Sequence, residues 1–200
     1  MKLVSTHRIE FIRELATEIL GHYGRGRTIV AIDGTDAQER VAFADDLAAV
    51  FAEREHDAIR ASLSGFGRSR AELSPFGPDT PERHYRHGTD YSALRRALIE
   101  PFRLGGSTGF VTQTFDAERD AWIEPTWLTA PADATLVIDG EFMHRPELRT
   151  LWSYGVLLEG TAQSEADRIY LADATPRERV SALVDLSDAA APRRLFTDSC

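Results

Sequence analysis

Apolar positions along this chain switch repeatedly between two spacings. Short continuous apolar runs closed by turn residues alternate with longer stretches in which apolar residues return every third or fourth position. The first pattern predicts buried strands and the second predicts one-sided helices. Residues 6–20 read as an amphipathic helix: Ser5 or Thr6 can cap it, Ile12, Leu15, Ala16 and Ile19 share a face, and Gly21 can end it. GHYGRGR then reads as a flexible connector. Thr28–Ile32 is a β-branched strand that Asp33-Gly34 breaks, and from Arg40 a helix face runs through Phe43, Leu47, Val50 and Phe51. A second strand falls in His56–Leu63. From Ser64 to about Thr89 the chain is polar and rich in Gly, Pro, Arg and Ser, the mark of a functional excursion or a mobile loop. Tyr91–Ile99 predicts a helix with Ala93, Leu94, Ala97 and Leu98 inward, stopped by Pro101. Strands follow at Gly109–Phe115, Ala134–Ile138, Tyr154–Leu158 and Val180–Leu186, with helices at Pro146–Trp152 and Glu165–Ala172; the tail after Ala190 reads as peripheral.

Strands alternating with helices predict one α/β domain, residues 1–200, with a mainly parallel sheet and right-handed crossovers. A ligand of such a sheet sits at the carboxyl ends of the strands. Those ends are Asp33-Gly34, Ser64-Gly65, Phe115-Asp116 and Asp139-Gly140, so one pocket should collect residues from all four. Composition narrows the partners. At 200 residues and 42% hydrophobic content the chain can bury a sizeable core. A formal net charge of −9 and a pI near 5.2 argue against a nucleic-acid backbone as partner. Glu10 and Glu14 interrupt the start, so no signal peptide is expected, and no run of eighteen apolar residues predicts a membrane span. The single cysteine, Cys200, rules out an internal disulfide or a thiolate metal cluster. A cytoplasmic protein is the expectation.

The stretch Thr28–Leu47, TIVAIDGTDAQERVAFADDL, has the layout of a strand, a phosphate-binding loop and a helix. Such a loop would read G-x-x-x-x-G-K-S/T. Gly34 fills its first position, but Glu39, Arg40 and Val41 stand where Gly, Lys and Ser/Thr belong. With FADDLAAVF, IRASLSGF, TPERHYRHGTDYSALRRALIEPF, ATLVIDGEFMHRPELRTLW and DRIYLADATPRERVSALVDLSDAAAPR, the chain resembles the uridine kinase and phosphoribulokinase branch of P-loop kinases. It looks most like the actinobacterial-type uridine kinase homologues, over about residues 8–195, and HRPEL after a strand-ending Asp-Gly is the most specific match. The resemblance implies a three-layer P-loop sandwich with a mainly parallel five-stranded sheet.

It also implies a set of site positions, most of them altered. The phosphate-loop position is Gly34, Thr35, Asp36, Ala37, Gln38, Glu39, Arg40 and Val41, of which Gly34 and Asp36 match the family pattern. Ala37 replaces a glycine, Glu39 the second glycine, Arg40 the lysine and Val41 the hydroxyl residue that holds Mg²⁺. Ser64 stands at the position of the family's catalytic aspartate. EGTAQSEAD passes where relatives carry an arginine-bearing lid, so the lid is shortened or absent. Phe115-Asp116 and Asp90 match the substrate-pocket region, and Asp139 matches the Walker B position, with Glu141 beside it as a second weak metal candidate.

The chemistry weighs these changes. Phosphoryl transfer depends on positioning and on neutralising phosphate charge. Glu39 adds a negative charge to the cradle, where like charges 4 Å apart repel by about 1 kcal/mol in water and several at lower dielectric. Arg40 keeps a positive charge without lysine's compact geometry. Val41 offers no oxygen to Mg²⁺, and Ser64 is no carboxylate base. Outside these positions, Asp139 can hold a metal through water or cap a turn, and Asp116 can touch a ligand or cap a turn. His84 and His87 have a spacing that suits a metal, but no further Cys or His lies near, which favours a solvated loop. Trp122, Trp127 and Trp152 read as core or loop-packing residues, and Arg83, Arg86, Arg95 and Arg96 as a solvated face that could meet an anion. The expectation is a kinase-like pseudoenzyme that binds a small nucleoside-like or anionic ligand, or a partner, with no bound cofactor. The alternative is a working nucleoside or small-molecule kinase using ATP and Mg²⁺, with Arg40 on phosphate and Asp139 or Glu141 on the metal. A third class is a structural subunit that pairs with a protein partner or as a homodimer.

Overall fold

The computed structural model describes residues 2–196; Cys200 lies outside the described residues. The elements in chain order are α1 (His7–Tyr23), β1 (Thr28–Gly34), α2 (Ala37–Glu53), β2 (Ala58–Ser62), α3 (Arg70–Leu73), α4 (Pro81–His87) and α5 (Tyr91–Leu94). Then come α6 (Glu100–Leu104), β3 (Phe115–Asp116), β4 (Ala121–Trp122), β5 (Thr135–Asp139), β6 (Tyr154–Glu159), α7 (Glu165–Ala174), β7 (Ala182–Asp185) and β8 (Arg193–Leu195). The main sheet runs β2-β5-β1-β6-β7-β8. Its first five strands are parallel, as expected, and β8 adds an antiparallel edge where the sequence suggested only a peripheral tail.

β1 is central and buried along its whole length, between β5 (Thr28 opposite Thr135) and β6 (Val30 opposite Tyr154). Alternation along the strand divides the core in two, because successive side chains point to opposite faces. Ile29 and Ala31 join Leu136, Ile138, Leu94, Leu98 and Phe102 on one face. Val30 and Ile32 join Val156, Phe43, Leu47, Ile12 and Ile19, under α1 and α2, on the other. This is a three-layer sandwich. Each fully buried Leu, Ile or Phe contributes roughly 1.5–3 kcal/mol against exposure, so both layers are held by the residues whose spacing predicted the helices.

Further expectations change: Pro146–Trp152 forms turns with one 3₁₀ turn at Arg149–Leu151 in place of a helix, and α1 runs past Gly21 to Tyr23. Gly109–Phe115 is not a strand of the main sheet: the Val111 N–H donates to the Ala97 carbonyl (3.0 Å), and Phe115–Asp116 instead forms a small ribbon with Ala121–Trp122. Pro101 does not stop the helix. A π-turn over Arg95–Ile99 carries it through to Leu104. Proline cannot donate to the carbonyl four residues before it, and that carbonyl, Ala97, is the one Val111 takes. GHYGRGR is not merely a connector: Arg27 donates to the carbonyls of Pro131 (3.0 Å) and Phe102 (2.6 Å) and lies over the Phe102 ring.

The polar stretch 64–89 is ordered by α3 and α4 and by one buried aromatic. Tyr85 packs with Phe142, Ala166, Tyr170 and Ala174 in a third cluster, tying α4 to α7. Arg145, the arginine of HRPEL, is buried, stacks 4.3 Å from the Tyr85 ring and donates to its carbonyl. No helix of the described residues is long and apolar enough to cross a membrane.

Candidate functional site

The carboxyl ends of β2 and β5 and the first turns of α2 open on a cleft of about 460 Å³ beside α4, while Asp33 and Gly34 at the end of β1 line a different cavity, so the strand ends do not share one pocket. Arg40, Val41, Ser64, Phe115, Asp139 and Glu141, all singled out from the sequence, line it. So do Arg68 and His84, from the polar excursion. Asp90 and Asp116 do not. Asp90 caps α5 through the N–H groups of Ser92 (3.0 Å) and Ala93 (3.1 Å), and Asp116 holds a turn through Glu118 and Arg119. Both are Asx caps, because an aspartate at a strand or loop end satisfies free backbone donors ahead of it.

The phosphate-loop position forms an ordinary helix start. β1 ends at Gly34, Asp36 is the N-cap, and α2 begins at Ala37. The Asp36 carboxylate accepts the N–H of Gln38 (2.9 Å) and of Glu39 (3.0 Å), two of the donors that an unclosed helix end offers to an anion. The next turn is occupied as well. Arg40 is buried, and its guanidinium folds back to donate to the Gly34 carbonyl, with Glu141 3.6 Å away. Its Nε is buried without a hydrogen-bond partner among the described residues. Glu39 is paired with Arg8 (3.0 Å), Thr35 donates to the Thr161 carbonyl (2.8 Å), and Val41 is exposed at the cleft edge.

At the end of β5, Asp139 is buried and accepts from Arg60 (2.8 Å) and from the Ser62 hydroxyl (3.1 Å); Arg60 also pairs with Asp45 (2.8 Å). Glu141 joins Arg40 to His84, whose Nε2 lies 2.9 Å away. That contact pushes His84 up from its ordinary 6.5 and holds Glu141 below its ordinary 4.5, partial burial opposing both shifts. Among the described residues no group of three or more His, Cys, Asp or Glu is arranged to hold a metal. The HYRH histidines separate: His84 meets Glu141, while His87 stacks on Phe76 at 4.0 Å. The arginine group also disperses, with Arg83 on Asp79, Arg86 on Glu82 and Arg95 on the Glu147 carbonyl. Trp152 is buried and donates to the Met143 carbonyl (2.7 Å); Trp122 and Trp127 are exposed and pack locally, Trp122 edge-on against Phe115 at 5.6 Å and Trp127 against Gly109. The Ser64 hydroxyl has the Ser62 hydroxyl as its neighbour, at 3.0 Å.

Arg60 and Tyr170 are site neighbours that no motif in the sequence singles out. Arg60 carried a signal, being a charged residue inside a predicted strand, where a buried partner is the usual reason. Asp33, expected as a strand end lining the shared pocket, lies elsewhere. It is fully buried and accepts from the Gly34 N–H (2.7 Å), the Met143 N–H (3.0 Å) and the Tyr170 hydroxyl.

With the sheet order and the strand-end cleft established, comparison with solved structures is decisive for the architecture. A possible uridine kinase from Bacillus stearothermophilus superposes with a TM-score of 0.74 at 21% identity, covering 88% of this chain and 96% of that one. The chain has the fold of a P-loop kinase. D-glycerate 3-kinase from Cryptococcus neoformans var. grubii superposes with a TM-score of 0.54 at 10% identity, over 94% of this chain and 82% of that one. No protein-family model matches the sequence, and no curated protein matches it. The likeness is therefore one of fold. The connection from β6 to α7, where kinases of this fold place a lid by the resemblance drawn above, is residues 160–164.

Proposed function

We propose that this chain is a P-loop kinase-like protein that no longer transfers phosphate from ATP. It instead binds a small anionic or nucleoside-like ligand, or a protein partner, through the cleft beside α4. The observation that carries this reading is the Asp36 carboxylate seated on the N–H groups of Gln38 and Glu39, with Arg40 turned back onto the Gly34 carbonyl. A triphosphate would have to displace a carboxylate already at the helix end and an arginine already bound to the loop. The residues here do not fit ATP and Mg²⁺. Val41 offers no ligand oxygen, and Asp139 is neutralised by Arg60 in place of a metal. This counts against the working-kinase alternative, which needs Arg40 free for phosphate and Asp139 or Glu141 free for Mg²⁺.

What favours a ligand is the cleft's own charge. Arg40, Arg68 and His84 line it together, against Asp139 and Glu141. The test is an ADP-release assay with ATP·Mg²⁺ over a panel of nucleosides and small hydroxy acids. It is expected to stay at background throughout; turnover with any of them, abolished by Arg40→Ala, would overturn the proposal.

A further inference from the structure

Residues 109–128 double back on themselves as a narrow ribbon. Phe110 and Leu128 exchange both backbone hydrogen bonds (2.9 and 2.8 Å), the Ile123 N–H donates to the Thr114 carbonyl (3.1 Å), and Phe115 pairs with Trp122. The inner arm is pinned to the domain, Val111 by the Ala97 carbonyl (3.0 Å) and Thr114 by the Gly65 carbonyl (2.8 Å). The outer arm, 121–128, carries two of the chain's three tryptophans, and both stand in solvent: Trp122 is 56% exposed and Trp127 66%.

Tryptophan carries so much apolar area that a folded chain ordinarily covers most of it. Each ring here is seated on one side only. Trp122 meets Phe115 edge-on at 5.6 Å, and Trp127 lies against Gly109, where a Cβ would come 3.2 Å from the ring. Because backbone hydrogen bonds fix both arms, the open sides are in place before anything binds, which lowers the ordering cost of a contact. Tryptophans held this way are the side chains that dominate binding at protein interfaces.

The charge around them selects the occupant. Glu118 and Glu124 are exposed, and among the described residues neither carboxylate has an ion pair. Arg119, the one cation of residues 116–128, is engaged by Asp116 at 3.6 Å. The chain as a whole carries a net charge of −9. An acidic surface bearing indole rings complements a flat, weakly hydrated cation. A guanidinium stacks on an indole face and pairs with a carboxylate through the same planar group, whereas an ammonium is a compact, strongly hydrated point charge. Nucleic acid and anionic lipid have the wrong sign.

We propose that the outer arm of this ribbon docks an extended, arginine-rich segment of a partner protein. The partner's guanidinium groups lie over Trp122 and Trp127 and pair with Glu118 and Glu124. The two tryptophans are five residues apart, at most about 17 Å of extended chain, so arginines a few residues apart in the partner reach both. None of these four residues lines the cleft, and the proposal stands or falls independently of the cleft's function.

The probe is an unlabelled octapeptide of alternating arginine and glycine, titrated calorimetrically into the intact chain at low salt, with the lysine–glycine and glutamate–glycine peptides as controls. The arginine peptide is expected to bind with a Kd below about 100 µM, at least about fivefold more tightly than the lysine peptide, and the glutamate peptide not at all. Trp122→Ala and Trp127→Ala should each weaken it by about fivefold or more, with thermal midpoints within about 3 °C of the parent. Glu124→Gln should flatten its salt dependence. Equal affinity for the two basic peptides, binding indifferent to both tryptophan variants, or no saturation below about 1 mM would each overturn the assignment. So would a parent that light scattering shows to be a dimer and that Trp127→Ala returns to a monomer, which gives the surface to a second copy of the chain.

Discussion

Replacing Asp36 with alanine should weaken the protein and open its helix end to a free anion at the same time. In the structure the Asp36 carboxylate satisfies the N–H groups of Gln38 and Glu39 at 2.9 and 3.0 Å, and the residue is exposed. Losing such a cap costs about 1 kcal/mol, within a range of roughly 0.5–2. For a chain of 200 residues that corresponds to a fall in Tm of about 2–4 °C. Asp36→Ser keeps an acceptor oxygen and should lose only a few tenths of a kcal/mol. Inorganic phosphate should then raise the Tm of Asp36→Ala and leave the parent unmoved. At ten times its Kd it would restore about 1.4 kcal/mol, offsetting the lost cap. Differential scanning calorimetry of the three proteins with and without phosphate decides the matter. An Asp36→Ala protein as stable as the parent, or a parent that phosphate stabilises equally, would refute the claim that this carboxylate occupies the anion site.

Other parts of the site give sharper energetic tests. Arg60→Ala leaves the buried Asp139 with only the Ser62 hydroxyl and should cost about 3 kcal/mol in urea denaturation; a loss under about 1 kcal/mol would show that Asp139 does not depend on that arginine. Gly140→Ala would set a Cβ 2.4 Å from the Leu63 Cβ and 2.8 Å from the Met143 sulfur, so it should destabilise by at least about 2 kcal/mol through overpacking, and a neutral result would mean β5 is free to shift. The His84–Glu141 contact has a defined pH window. His84 is raised above 6.5, so its contribution is complete below that pH and fades as pH rises through the folded value; Glu141 is lowered below 4.5, so its contribution is present above 4.5 and fades as pH falls through its own folded value. The pair therefore acts most strongly between about pH 4.5 and 6.5, and Glu141→Gln should return the His84 NMR titration midpoint towards 6.5, whereas an unchanged midpoint would assign the shift elsewhere.

Much of the fold was legible because it rests on local periodicity. α1, α2, β1, β5 and β6 lie where the apolar spacing put them, since each buries a face its own sequence advertises. What escaped depends on contacts between distant residues. Phe110, Val111 and Phe115 look like strand residues, but they are buried in loops and a small ribbon beside the α5–α6 segment. The order of the 64–89 excursion hangs on Tyr85 meeting Phe142, Tyr170 and Arg145, and nothing around Tyr85 in sequence announces that. At the site, Asp36 matched a loop pattern yet serves as a helix cap, a role that Asp followed three residues later by Glu39 does signal. That Asp139 belongs to Arg60, and that Arg40 turns back onto Gly34, are facts of three-dimensional placement alone.

The central claim is that the Gly34–Val41 segment no longer holds a nucleotide. Isothermal titration of the intact chain with ATP, with and without Mg²⁺, tests it most directly. No saturable heat is expected in either case up to millimolar ATP. Micromolar binding that requires Mg²⁺ would contradict it.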